Sequence, residues 1–240
     1  MQKKYTHLFF DLDNTLWDFK SNSKLAMWST FQLLGLDNKT VSFEDFYAVY
    51  AKHNEQLWRA YRNKQVKKKD LTFQRFQLTF DELGITGIDA ARMNDLYLDE
   101  MPKQKNLMPG AKDLLDYLKA KNYHLYIITN GFKEVQHKKL KSSGLEHYFT
   151  KIFISEELRT PKPDPEIFEH ALKSANAKKS KSLMIGDDWE VDILGALRFG
   201  INAVYFKPLS LPNDKSHNLL DLPPDRAFVI KELKDINIFL

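Results

Sequence analysis

More than one hundred residues separate the first apolar run, residues 5–10, from the next that reads as a strand, residues 124–129. A single crossover helix with its two loops needs far less chain than that, so something else is inserted there. Beyond the gap the pattern is regular. Residues 124–129, 152–155, 183–186 and 203–206 read as short buried strands, and residues 111–121, 133–142, 165–174 and 190–199 as amphipathic helices before and between them. Gly144 and Gly200 stand where helices are expected to end. Strand starts about 20 to 30 residues apart suit right-handed β-α-β crossovers. The expectation is an α/β fold with a doubly wound, Rossmann-like parallel sheet.

The inserted stretch predicts helix throughout. Phe43, Phe46, Tyr47, Tyr50, Leu57, Trp58 and Tyr61 recur at three- and four-residue spacing, as do Phe73, Phe76, Phe80 and Leu83. Pro102, Pro109 and Gly110 then punctuate the return to the alternating pattern. This divides the chain into an α/β core, residues 1–16 and 98–240, and an inserted helical segment, residues 17–97.

Composition narrows the functional classes. With 43% hydrophobic residues over 240 positions the chain can bury a core, which excludes disorder, collagen and coiled coil. It has no cysteine, so a disulfide framework, a thiolate zinc site and a cysteine nucleophile are all ruled out. No apolar run approaches the roughly 18 residues of a membrane span, and residues 1–10 lack the pattern of a signal peptide. No membrane association and a cytoplasmic location are therefore expected. The formal charge of +4, with Lys67, Lys68 and Lys69 as its densest cluster, is too small to imply a nucleic-acid polymer as partner without a groove-reading motif.

Four segments carry candidate chemistry, each at the carboxyl end of an expected strand or in the loop after one, where open α/β sheets bind ligands. The first strand runs into Asp11-Leu-Asp13-Asn14-Thr15; such acids could also be the capping carboxylates of a turn. A later one runs into Gly186-Asp187-Asp188, with Asp192 beyond. Carboxylates delivered from two strand ends repel unless a hard cation lies between them, and Mg2+ is the ion implied. Asp188 is equally readable as an N-cap of the next helix. Thr129-Asn130-Gly131 sets a hydroxyl and backbone N–H groups before a helix, a place that favours phosphate. Lys162 is held between Pro161 and Pro163, while Asp164-Pro165 reads as a helix start.

In this order and placement the four motifs resemble those of the haloacid dehalogenase superfamily: Asp-x-Asp-x-Thr, a strand-ending Thr, a Lys, and Gly-Asp-Asp. The match spans residues 5–15 and 100–208, and the insertion after the first motif resembles the family's helical C1 cap. The resemblance implies Mg2+-dependent phosphoryl transfer. Asp11 would be the nucleophile and form an aspartyl-phosphate; Asp13 would protonate the leaving alkoxide and then activate water. Asp11, the Asp13 carbonyl and Asp187 would hold the metal, with Lys162 offsetting charge, Thr129, Asn130 and Gly131 holding phosphoryl oxygens, and Asp188 and Asp192 in the outer shell. Asp13 favours phosphoryl transfer over dehalogenation, in which a halide leaves without a proton. The strings Phe-Asp-Leu-Asp-Asn-Thr-Leu-Trp, Thr-Asn-Gly and Lys-Pro-Asp-Pro-Glu-Ile-Phe are similar to those of pyrimidine 5′-nucleotidases. That implies a small phosphate ester, a pyrimidine nucleoside 5′-monophosphate, as substrate. Phosphoglycolate or sugar phosphatase, phosphomutase and a catalytically silent binding module are the alternatives. Trp17 and Phe19, which follow the first motif directly, are the leading candidates to stack on a base; Trp58 and Tyr61 are further candidates whose spacing equally suits a helical core, Trp189 could wall the site or pack on it, and residues 14–17 and 98–106 are the expected hinges.

Overall fold

The computed structural model describes residues 4–38, 41–209, 223 and 225–240. Six parallel strands form one sheet: β1 (His7–Phe10), β2 (His124–Thr129), β3 (Lys151–Ile154), β4 (Ser182–Gly186), β5 (Asn202–Phe206) and β6 (Ala227–Ile230), in the order β3-β2-β1-β4-β5-β6. The doubly wound α/β expectation holds. β6 was not anticipated, since its four residues carry too little periodicity to stand out. Central strands are apolar almost without interruption, as they must be when both faces of a sheet are covered; Leu8, Phe9 and Phe10 are fully buried. The order of strands reverses at β1, where Phe10 pairs with Ile127 on one side and Ile185 on the other. Loops leaving β1, β2 and β4 thus emerge together at the crevice such a reversal creates.

The chain separates into two compact units, Met1–Phe19 with Asn106–Leu240, and Lys20–Lys105. The second is built of α1 (Phe19–Leu33, all but its first residue), α2 (Phe43–Arg62), α3 (Lys68–Leu83) and α4 (Ala90–Glu100). Side chains of Ser42 and Asp89 accept from backbone N–H groups at the starts of α2 and α4, and Gly84 ends α3 at φ +64°. Phe46, Tyr50, Phe76 and Phe80, on the faces that the sequence spacing predicts, fill its interior together with Phe31 and Tyr97, while Phe73 is exposed.

The unit begins and ends later than the 17–97 expected from sequence. Entering and leaving strands of chain pair with each other before the helices start: Trp17 bridges to Leu107, Met108 N–H donates to Leu16 O, and Asp18 N–H donates to Asn106 O. These backbone bonds tie Trp17 and residues 106–108 to the α/β unit.

Around the sheet lie α5 (Ala111–Ala120), α6 (Lys133–Ser142), α7 (Ser155–Leu158), α8 (Pro165–Ala175) and α9 (Gly195–Phe199). The helix expected over 190–199 is instead a π turn, Trp189–Leu194, running into α9. Among the described residues no helix is long and apolar enough to cross a membrane.

Candidate active site

Lys162 organises the site. It is 1% exposed, and its ammonium donates to Asp11 Oδ1 at 2.6 Å, to Asp192 Oδ1 at 2.7 Å and to the Ile128 carbonyl at 2.7 Å. All three of its protons are used. Burial opposes a charge here, yet Asp11 and Asp192 raise its pKa above the usual lysine range. Asp192 is also fixed from behind, its Oδ2 accepting the Asp188 N–H at 3.1 Å. Gly186 makes this possible: a Cβ there would lie 2.2 Å from Asp192 Oδ2.

Asp187, leaving β4, accepts the Thr15 hydroxyl on Oδ1 at 3.0 Å. Oxygens of Asp11, Asp187 and Asp192 lie within 4.8 Å of one another. That spacing is near the roughly 4.2 Å separating opposite ligands of a Mg2+ ion bound at about 2.1 Å. The donor set is hard oxygen throughout, with one lysine against three carboxylates. Burial first, and then neighbouring acids, push Asp11 up to about 7 despite Lys162; Asp187 is raised well above the usual carboxylate range and Asp192 is raised as well. A cluster that resists full ionisation in this way fits a small divalent cation. Asp11 and Asp187 are the ligands to expect, because both oxygens of Asp192 are already engaged. Of the pair expected in the outer shell, Asp192 lies beside the other two acids and holds Lys162, and Asp188 caps the π turn, accepting from the Glu190 and Val191 N–H groups at 3.0 Å each.

The loop after β2 holds a surprise. Asn130 was expected to hold phosphoryl oxygens, but its amide brackets the Lys162 backbone, donating to the Lys162 carbonyl at 2.9 Å and accepting the Lys162 N–H at 2.8 Å. Its side chain is thereby committed to fixing the Lys162 loop. Thr129 Oγ1 accepts from Gly131 N–H at 3.2 Å and from Gln136 Nε2 at 2.7 Å, which leaves its own proton to donate. Gly131 has no room for a side chain, since a Cβ would lie 2.3 Å from Gln136 Nε2.

Asp13 stands apart from the acidic cluster. Its Oδ1 pairs with Lys139 Nζ at 2.7 Å and its Oδ2 accepts from Gln136 Nε2 at 3.0 Å. The Lys139 ammonium lies over the ring of Trp17 at 4.3 Å and that of Phe19 at 5.2 Å. Trp17 is fully buried, so the ring expected to stack on a base instead has a lysine over it. Trp189 packs edge-on against Tyr205 within the core, and Trp58 pairs edge-on with Tyr61 on α2.

The structure thus gathers Asp11, Lys162, Asp187 and Asp192, with Thr129 at the end of β2 and Asp13 in the loop after β1. The sequence reading missed Gln136 and Lys139. Three residues apart on α6 they share a face, but Lys139 stands among Lys138 and Lys141, where nothing distinguishes it from a solvated lysine.

A family model described as haloacid dehalogenase-like hydrolase matches residues 5–200. The chain is 35% identical over 210 residues to pyrimidine 5′-nucleotidase PynA of Streptococcus pneumoniae, covering 87% of this chain and 86% of the relative. It is equally identical over 200 residues to pyrimidine 5′-nucleotidase YjjG of Escherichia coli, with 82% and 84% covered. Among solved structures, the HAD-hydrolase YfnB of Bacillus subtilis, bound to magnesium and showing interdomain movement, superposes at a TM-score of 0.84 with 29% identity and 99% of both chains covered.

Proposed function

Because the chain belongs to the haloacid dehalogenase-like hydrolase family, we propose that it is a Mg2+-dependent phosphatase acting on nucleoside 5′-monophosphates with a pyrimidine base. The observation that carries this reading is the buried Asp11 carboxylate, held by Lys162 at the carboxyl end of the central strand with Asp187 across from it. The names of the two nucleotidase relatives support the choice of substrate.

Asp11 attacks phosphorus, and as its carboxylate oxygen bonds to phosphorus the ester P–O bond breaks. Asp13 gives its proton to the departing nucleoside oxygen. Asp13 then takes a proton from water, whose oxygen bonds to phosphorus and releases Asp11 and inorganic phosphate. Thr129 donates its hydroxyl proton to a phosphoryl oxygen, and Lys162 stabilises the charge on Asp11. Asp11, the Asp13 carbonyl and Asp187 would hold the metal, which supplies charge neutralisation between acid cluster and phosphate. Splitting the reaction this way and assisting the leaving group address the very slow uncatalysed hydrolysis of phosphate monoesters. The helical unit, Lys20–Lys105, is the part to which we assign choice among esters.

The test is phosphate release from a panel of nucleoside monophosphates, sugar phosphates and phosphoglycolate, with and without Mg2+. Expected are a pyrimidine preference, Mg2+ dependence, and no turnover in a folded Asp11→Asn variant. Undiminished turnover in that variant rejects the chemistry; a flat substrate profile rejects only the nucleotidase reading.

A further inference from the structure

Each aspartate of the Asp11–Asp13 pair has a lysine of its own. Lys162 holds Asp11, as described, and Lys139 holds Asp13 from the second turn of α6. The two acids are two residues apart, yet only Asp11 joins the group of oxygens suited to a cation; Asp13 does not. Something draws it off, and two side chains do so together: Lys139 on Oδ1 and Gln136 on Oδ2.

Both of those side chains are themselves built in. Gln136 is fully buried and Lys139 is 3% exposed. The space for Gln136 exists only because residue 131 is glycine. The Lys139 ammonium is sandwiched by charge and ring, Asp13 on one side and Trp17 and Phe19 beneath it. A lysine buried without purpose is costly, and this one is directed at the second acid of the motif. One lone pair remains on each oxygen of Asp13 after these bonds, and its side chain keeps 24% of its exposure. The carboxyl group is therefore held in one orientation with an edge left accessible.

We propose that Lys139 is a positioning residue for Asp13. It fixes the carboxyl group where it serves the leaving oxygen and keeps it from turning to the cation site as one more ligand, with Gln136 as its second point of attachment. Trp17 and Phe19, where the chain passes into the helical unit, form the platform on which Lys139 rests. This inference rests on the phosphatase reading of Asp11 and Asp13.

The test uses leaving groups. A nitrophenyl phosphate departs without help, whereas an alkyl phosphate such as a nucleoside 5′-monophosphate needs a proton. Lys139→Met keeps the apolar stem and removes the ammonium. It is expected to lower kcat/KM for the alkyl ester at least about tenfold more than for the aryl ester, general acids contributing on the order of 10²- to 10⁴-fold. Lys139→Arg restores most of the loss. Asp13→Asn, the reference, shows the same selective loss, and adding Lys139→Met to it costs nothing further. If the methionine variant does not fold by circular dichroism, Lys139→Gln is scored by the same criterion. Equal loss with both esters, or losses that add in the double variant, overturn the proposal while leaving the chemistry of Asp13 intact. No selective loss in Asp13→Asn overturns both.

Discussion

Replacing Asp187 by asparagine should stabilise the metal-free protein at alkaline pH. Asp187 shares its surroundings with Asp11 and Asp192, their oxygens within 4.8 Å, and Lys162 alone offsets them. Two unit charges 4.8 Å apart repel by about 3.5 kcal/mol at an effective dielectric of 20. Lys162, paired with Asp11 and Asp192, already neutralises part of the charge that Asp187 meets, and protonation relieves a further part. A net gain on the order of 2–3 kcal/mol remains for a neutral isostere that can still accept the Thr15 hydroxyl. At about 2–4 °C per kcal/mol for a chain of this size, the midpoint rises by about 5–10 °C.

The pH dependence follows from the direction of the shifts. Asp11 is raised to about 7 by burial and its acidic neighbours, and Asp187 is raised well above the ordinary carboxylate range. Where the folded protein binds protons that the unfolded chain has already released, stability falls as pH rises. For Asp11 that window opens near the ordinary carboxylate pKa and closes above about 7. Wild type should therefore lose stability between about pH 4 and 7 in chelator through Asp11, and the advantage of Asp187→Asn should grow as pH rises through that interval and beyond it. Excess Mg2+, which binds the folded state, should raise the midpoint of wild type more than that of the variant. Thermal unfolding followed by circular dichroism reads all three quantities. A variant no more stable than wild type in chelator at about pH 8.5 would refute the electrostatic argument.

Asn130→Ala should reduce kcat/KM by about ten- to a hundredfold with little change in unfolding midpoint, because it frees the loop that delivers Lys162; steady-state kinetics and a melting curve decide it. Gly131→Ala should destabilise by about 1–3 kcal/mol through collision with Gln136. Adding Gln136→Ala should recover much of that, as urea titration of the single and double variants would show. Lys162→Met should abolish turnover and destabilise by about 3–5 kcal/mol near pH 8, and less near about pH 5, where Asp11 can take up a proton. An equal loss at both pH values contradicts this.

What was legible in the sequence was what repeats or what stands at a strand end. The α/β alternation and the helical insertion follow from periodicity. Asp11, Thr129 and Asp187 were found because each directly follows or closes an apolar run that ends in a turn. Domain edges were less visible: Trp17 looks like the first residue of a helical segment, and only its pairing with Leu107 assigns it to the α/β unit. Roles that depend on what a side chain reaches across the fold were hidden. Asn130 beside a phosphate-favouring turn reads as a ligand to the substrate, and nothing local says that its amide turns back upon the loop 32 residues ahead.

The two lysines make the limit concrete. Lys162 could be singled out because prolines on both sides stiffen its loop and its place in the order of motifs is distinctive. Lys139 lies in a helix whose turn is rich in lysine, and along one helix the charged positions 138, 139 and 141 differ only in the direction they face. Direction on a helix becomes chemistry only when a neighbour is supplied, here Asp13 from a loop more than one hundred residues earlier. The glycines were the overlooked signal. Gly131 and Gly186 each lack a Cβ that would collide with a polar side chain, Gln136 in one case and Asp192 in the other. Both glycines lie beside a strand end, and both of those side chains bind a group of the site. A glycine at a strand end whose φ is negative, and which therefore does not need glycine for its backbone conformation, marks a place where another chain segment must come close. Read that way, Gly131 points to a side chain entering the β2 loop before its identity is known.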